Sequence, residues 1–402
     1  MSFKQVQQLR KNSELDEALK IASADLETNP NDEWNKRSIM WVYYEFMKIA
    51  VKKKKSKDFL FQLKNIAKLN LPPKENIAYD SVAWTLGKYL FKNKPSEIFL
   101  DESYKTIQNF HFSKPADSYS FLLKAFRKHA YKWEVFYDFV QWWGVNNFQK
   151  NDYENFVTEE GKKLPSNVEL VYIALSKHLL KNPNDNMQTI IEFLPEIEYV
   201  AKTYKKMQYP PYYYAKLLLL VGDKGKFLDA FLPFARKKQR DFWVWNLLSE
   251  VYDKNSNEYF SCLCKSLSCG APDKFTINVR EKIANIFVKQ ELYSEAKYEY
   301  QKIIETRDNE GWPLREKHMK WQELPWWEDT QVSRNNIDIY NKNLHLAKSL
   351  LFANTEEEII AVEFVNEDKK VFSFIASKQK YGFTHYGNFD LKPIVGKTYK
   401  VR

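Results

Sequence analysis

Glycine is scarce in this chain, with 10 in 402 residues, and proline is limited to 15. So little turn chemistry disfavours an all-β or loop-rich protein and favours helices. Cysteine is scarcer still. The three, Cys262, Cys264 and Cys269, are an odd number, which argues against a secreted disulfide framework. A zinc site needs four ligands, and no histidine lies nearby to complete one, so these read as small thiols packed in a helix. The six histidines (His111, His129, His178, His318, His345 and His385) are scattered, and none has a second His or Cys at metal-ligand spacing. A glycine-rich phosphate loop is missing, and nothing suggests a nucleophile with its base. Glu367-Asp368-Lys369 formally fits half of a metal-dependent nuclease site, but the triplet reads as a hairpin turn, and no Asp precedes it on a neighbouring strand. The expectation is a protein without catalysis, cofactor or metal. No apolar run approaches the roughly 20 residues of a membrane span and no leader is visible, so the chain reads as cytoplasmic.

What is plentiful is aromatic surface: 12 Trp, 25 Tyr and 28 Phe. At that density most rings must pack between helices, since an exposed set would aggregate. A net charge of +10 permits a polyanionic partner. The basic runs Lys52-Lys53-Lys54-Lys55 and Arg236-Lys237-Lys238-Gln239-Arg240 can touch phosphate or simply end helices.

From Tyr212 to Thr306 a repeat is visible. Its first unit has Tyr214, Leu217 and Leu218, then Ala230 and Phe234. The second has Trp245, Leu248 and Tyr252 with small Ser261 and Cys262. The third has Ala284 and Phe287, then Ala296, Tyr300 and Ile303. Small residues at fixed places let paired helices touch, and large ones fill the gaps. The period of roughly 31 to 35 residues resembles that of the tetratricopeptide repeat family. Leu15-Asp16-Glu17-Ala18-Leu19 with Asn29-Pro30-Asn31-Asp32 resembles the second helix and turn of one such repeat, Asn182-Pro183-Asn184-Asp185 ends another helical stretch, and Trp84, Gly87 and Leu90 echo a first helix. The resemblance implies a solenoid whose inner groove holds a protein partner. By the repeat spacing, Trp243, Asn246, Glu250, Asn278, Glu281 and Asn285 line that groove; the same residues also fit ordinary solvated helix positions.

Gly311-Trp312-Pro313 through Trp321 to Trp326-Trp327 places four Trp in a short span, which reads as a cap on the last repeat. A helix from Ser333 to Phe352 follows, with Ile337, Tyr340, Leu344, Ala347 and Leu351 on one face.

Near the C-terminus, Lys370-Val371-Phe372-Ser373-Phe374-Ile375 precedes Gly382-Phe383-Thr384-His385-Tyr386. Side chains two apart in a strand share a face, so Phe372 pairs with Phe374 and Phe383 with His385, a ring platform of the kind on which unpaired bases stack. The segment from Ile359 to Val401 resembles the cold-shock branch of the OB-fold. That resemblance implies stacking by Phe364, Phe372, Phe374, Phe383, His385 and Tyr386, with Lys370 on phosphate. Val371 and Ser373 stand where the family has glycines. An OB-fold needs five strands and four are visible, so either the sequence is a fragment or something else covers the open edge. Alternating aromatics also suit a half-buried hairpin that binds nothing. From Glu356 to Arg402 there are 8 basic and 7 acidic residues, so in this module stacking must carry more than charge.

The expected architecture is mainly α: a divergent helical-repeat solenoid over 1–209, tetratricopeptide-like repeats over 210–306, a Trp/Pro-rich cap and connecting helix over 307–355, and an apparently incomplete cold-shock/OB-like β module over 356–402. This domain order is similar to accessory proteins of prokaryotic conflict (anti-phage) systems. The resemblance implies a non-catalytic adaptor that binds a protein partner and single-stranded RNA or DNA. A pure protein-interaction scaffold and an RNA-metabolism factor remain open beside it.

Overall fold

A computed structural model describes residues 2–386 and 392–401, so Met1, 387–391 and Arg402 of the expected segments lie outside it. The chain is mainly α, with eighteen α-helices among the described residues and a small antiparallel sheet at the C-terminal end. No helix among them is long and apolar enough to cross a membrane. It divides into two compact units, Met1–Val221 and Gly222–Arg402.

The first unit contains α1 (Ser2–Lys11), α2 (Leu15–Thr28), α3 (Glu33–Lys53), α4 (Ser56–Lys68), α5 (Asn76–Lys92), α6 (Glu97–Ile107), α7 (Asp117–Arg127) and α8 (Phe136–Trp143). A two-residue hairpin, β1 (Phe156–Val157) and β2 (Lys163–Leu164), leads to α9 (Asn167–Leu179), α10 (Met187–Thr203) and α11 (Pro210–Leu220). Helix starts are written in the sequence: Asp32, Ser96 and Ser166 each accept a bond from the amide three residues on, satisfying a donor that the first turn leaves unpaired. The run Lys52–Lys55 closes α3, with Lys54 in the left-handed region. Successive first helices stack in one layer, α3 on α5 and α5 on α7, while α4 packs on α3 and α6.

Aromatic abundance is explained by this core. Tyr119 and Trp143 stack at 5.0 Å, the Tyr119 hydroxyl donates to the Trp143 carbonyl, and the Trp143 indole donates to the Tyr119 carbonyl. Phe126, Trp133 and Phe139 continue the ring cluster. Each well-placed ring pair adds about 0.5–1.5 kcal/mol beyond burial.

The second unit runs α12 (Lys224–Lys237), α13 (Phe242–Ser249), α14 (Asn257–Leu267), α15 (Asp273–Lys289), α16 (Tyr293–Asn309), α17 (Glu316–Gln322) and α18 (Ile337–Leu351), then β3 (Glu358–Asn366), β4 (Val371–Ser377), β5 (Lys380–His385) and β6 (Thr398–Val401). Cys262 and Cys264 are fully buried on α14, and burial pushes both thiols up. Small Ala284 and Ala296 are buried where α15 meets α16. Trp321 stacks on Tyr300 at 4.1 Å and Trp326 on Tyr293 at 5.0 Å, while Trp327 is buried with Ala284, Tyr300 and Ile303. These three rings cover the α15–α16 surface; Trp312 stays exposed under Arg307.

Helix α18 does more than connect. It packs on α14, and its Tyr340 joins the core formed by Leu263, Ile283 and Phe287. The Tyr340 hydroxyl and the Asn336 amide both bond the carboxylate of fully buried Glu299, which also pairs with Arg280 at 2.7 Å. Burial alone would lower the Arg280 guanidinium, but Glu299 and Asp273 outweigh it and hold it above its ordinary value. Of the five residues expected on the packed face of α18, Tyr340, Ala347 and Leu351 are buried and Leu344 half-buried, but Ile337, at the first position of the helix, is exposed.

Candidate nucleic-acid interface

The C-terminal sheet has the order β5-β4-β3-β6, all neighbours antiparallel. Among the described residues its inner face is small: Ile360, Val362 and Phe372 are buried, with Val365, Phe374, Ala376, Tyr386, Tyr399 and Val401 packed around them. So short an apolar set needs its largest member inside, which takes Phe372 down to 2 % exposure. Phe374 lies beside it at 6.2 Å, over a strand position where Gly382 presents no side chain.

Register then decides the outer face. Ser373 pairs with Phe383, Val371 with His385 and Ile375 with Tyr381. A bulge between Val362 and Phe364 adds one residue to β3 and turns Phe364 outward, opposite Ser373. One row across the sheet therefore reads Phe364–Ser373–Phe383, and small Ser373 leaves both rings open. Phe383 is 81 % exposed, Tyr381 74 % and Phe364 58 %. Along β5, Tyr381, Phe383 and His385 stand two residues apart, about 6.8 Å per step. Exposed aromatics at that spacing offer successive flat surfaces to the bases of an extended strand.

The seven residues expected to contact nucleic acid are thus divided. Phe364, Phe383 and His385 share the outer face. Lys370 sits at the start of β4 with a positive φ of 50°, exposed and without an ion-pair partner among the described residues. Phe372, Phe374 and Tyr386 are corrections: the first is core, the second packs against it, and the third turns inward, its amide donating to the Lys370 carbonyl at 3.0 Å. The pleat keeps Phe372 and Phe374 together, as period two requires, but pairing with β5 sets them opposite Thr384 and Gly382 rather than beside Phe383. Sequence reasoning missed Tyr381. Its signal was the same alternation extended one step back, Tyr381-x-Phe383-x-His385.

Three of the lysines of this module are in ion pairs. Lys380 pairs with Glu358 at 2.5 Å, Lys392 with Glu367 at 2.7 Å, and Lys400 with Glu357.

The six residues expected to meet a protein partner are also divided. Glu250 and Asn285 line a cleft of about 460 Å³ with Lys254, Lys282 and Lys289. Asn246 belongs to the same cluster, accepting at 2.8 Å from Lys282, which also pairs with Glu250. Asn278 is exposed, and Trp243 is half-buried against Phe234 at 5.7 Å. Glu281 is not open to a partner: Lys317 and His318 of α17 hold it at 2.7 and 3.0 Å. Burial would raise this carboxyl, but the two donors hold it below its ordinary value.

Comparison with known families adds two findings. Residues 352–402 match a family described as S1/CSD-like domain 1 of the TOTE conflict systems. Residues 208–347 match a family described as a domain of unknown function, DUF7017. A search of curated proteins found no match to the chain.

Proposed function

We propose that this protein is a non-catalytic, cytoplasmic adaptor of an anti-phage conflict system, in which the C-terminal module binds single-stranded nucleic acid by stacking and the helical body holds a protein partner. The carrying observation is the outer face of β3–β5, where Phe364, Phe383 and Tyr381 are exposed together beside His385. A sheet that exposes its rings while burying Phe372 gains nothing in stability from them, so they have another use. The match of 352–402 to an S1/CSD-like domain of conflict systems supports the same reading.

The reading of the body rests on the helix pairs α13–α14 and α15–α16, which begin at Phe242 and Asp273, a spacing close to the tetratricopeptide period. Its partner surface is the cleft lined by Glu250 and Asn285, with Asn246 next to it through Lys282; the two Asn amides can bond a peptide backbone.

Fluorescence anisotropy of labelled single-stranded RNA and DNA tests the first half. Binding that persists at moderate salt and weakens in a folded Phe383→Ala/His385→Ala variant is the expected result. Equal binding by both proteins, collapsing with salt, would remove the stacking face. For the second half, an Asn246→Ala/Asn285→Ala variant loses its partner in co-purification while keeping oligonucleotide affinity.

A further inference from the structure

Helices α3, α5 and α7 of the first unit each carry rings and lysines three, four or seven residues apart. On α5, Trp84, Lys88 and Phe91 stand at i, i+4 and i+7, all exposed. A related set at i, i+3 and i+7 is Phe121 and Lys124 of α7 with Lys128 just past its end, and on α3 Trp41, Tyr44 and Lys48; of these only Lys128 is exposed and the rest are half-buried. The rings join across helices. Phe121 lies 4.7 Å from Trp84 and 5.1 Å from Phe91, and the Thr85 hydroxyl donates to the Tyr44 hydroxyl at 3.1 Å.

Gly87 makes this possible. A Cβ there would come within 2.5 Å of Phe121 Cε1, so the ring can lie across α5 between Trp84 and Phe91 only because position 87 has no side chain. Cations flank the rings: Lys128 Nζ sits 5.7 Å from the Phe91 centroid, Lys48 Nζ 5.5 Å from Tyr44, and Arg10 lies 5.6 Å over Trp41. The acids at hand are already engaged, Glu45 by Lys48 and Arg10, and Asp152 by Lys124 at 3.5 Å. Lys88 has no ion-pair partner among the described residues.

We propose that this three-helix face is a second binding surface for single-stranded nucleic acid, separate from the C-terminal sheet. Two exposed rings, Trp84 and Phe91, with half-buried rings and lysines beside them suit a linear polyanion that carries flat groups. The unit holds 33 basic against 26 acidic residues, the complementary sign.

The test uses the full chain in a Phe383→Ala/His385→Ala background, so that loss at the sheet and loss at the helices are separately visible. Labelled dT20 and an abasic 20-mer of equal charge are the probes, with folding checked by circular dichroism. Trp84→Ala/Phe91→Ala weakens dT20 binding at least about 10-fold, and the exposed Lys88→Glu, which leaves every ring in place, weakens it at least about 3-fold with a shallower salt dependence. The abasic strand binds the starting protein about 10-fold more weakly than dT20, and a 4-thiouridine 20-mer cross-links within 77–92 or 117–128. Unchanged dT20 affinity in both variants overturns the proposal. So does equal binding of dT20 and abasic strand, or displacement by polyglutamate as effective per charge as by dT20, which would make the surface one for acidic protein.

Discussion

Phe372 and Phe383 sit on neighbouring strands, one row out of register, and the structure assigns them opposite jobs. Phe372 is 2 % exposed within a cluster that has three buried side chains among the described residues. Replacing it with Ala removes the largest member of that cluster, and a buried Phe→Ala change costs about 3–5 kcal/mol. Phe383 is 81 % exposed and pairs with small Ser373, so Phe383→Ala stays within about 0.5 kcal/mol of the parent. Binding reverses the order. One stacked base contributes about 1–3 kcal/mol, so Phe383→Ala weakens a single-stranded hexanucleotide roughly 5- to 150-fold. The assay is a pair of measurements on each protein, all in the Trp84→Ala/Phe91→Ala background to silence the helical face: hydrogen exchange of residues 358–386, and anisotropy of the labelled hexamer. Phe372→Ala accelerates exchange across the sheet; Phe383→Ala leaves exchange unchanged and loses affinity. If Phe383→Ala binds like its parent while Phe372→Ala remains fully protected from exchange and loses the ligand, the inner and outer faces are exchanged and the argument from register fails.

Other consequences concern the helical body. Glu299→Ala leaves the Arg280 guanidinium, the Asn336 amide and the Tyr340 hydroxyl without their shared acceptor, and breaking a buried pair costs about 3–5 kcal/mol; denaturant unfolding should show that loss, with Glu299→Gln intermediate and exchange in 337–351 rising first. Burial lowers the folded-state pKa of His318 below its ordinary value, beyond what Glu281 restores. The unfolded state therefore takes up the proton first, so the contribution is intact above about pH 6.5 and declines as pH falls through the lowered folded value; Glu281, also lowered, declines further down in the acid range. Melting temperatures at pH 7.5 and 5.5 should converge less for the wild type than for His318→Gln, and equal pH slopes would refute the coupling. Gly87→Ala drives a methyl into the Phe121 ring and should cost about 1–3 kcal/mol, measured as a drop in thermal midpoint; Gly225→Ala, where a Cβ would meet only Asp223 Oδ1 at 3.9 Å, should not.

How far these assignments could be read from the chain depends on which interaction fixes each one. Helix pairing in the second unit was legible because it rests on local signals: Ala284 and Ala296 mark close approach, and Phe287, Tyr300 and Ile303 fill the core they leave. The bias toward helix followed from ten glycines in 402 residues. At the sheet, period two correctly tied Phe372 to Phe374 and Phe383 to His385, because the pleat is a property of one strand. Which pair faces out depends on pairing between strands and on the bulge after Val362, and neither leaves a mark in the residue order. The same holds for Glu281, whose helix position looked open until α17, 36 and 37 residues later, supplied Lys317 and His318. The ring ladder of α3, α5 and α7 lies between these cases. Trp84 and Gly87 stood out as an echo of a repeat's first helix, yet their joint meaning depends on Phe121 arriving from the next helix pair. A glycine that looks like a packing residue then also sets the ring that a base would meet, so core packing and the proposed binding surface constrain the same position.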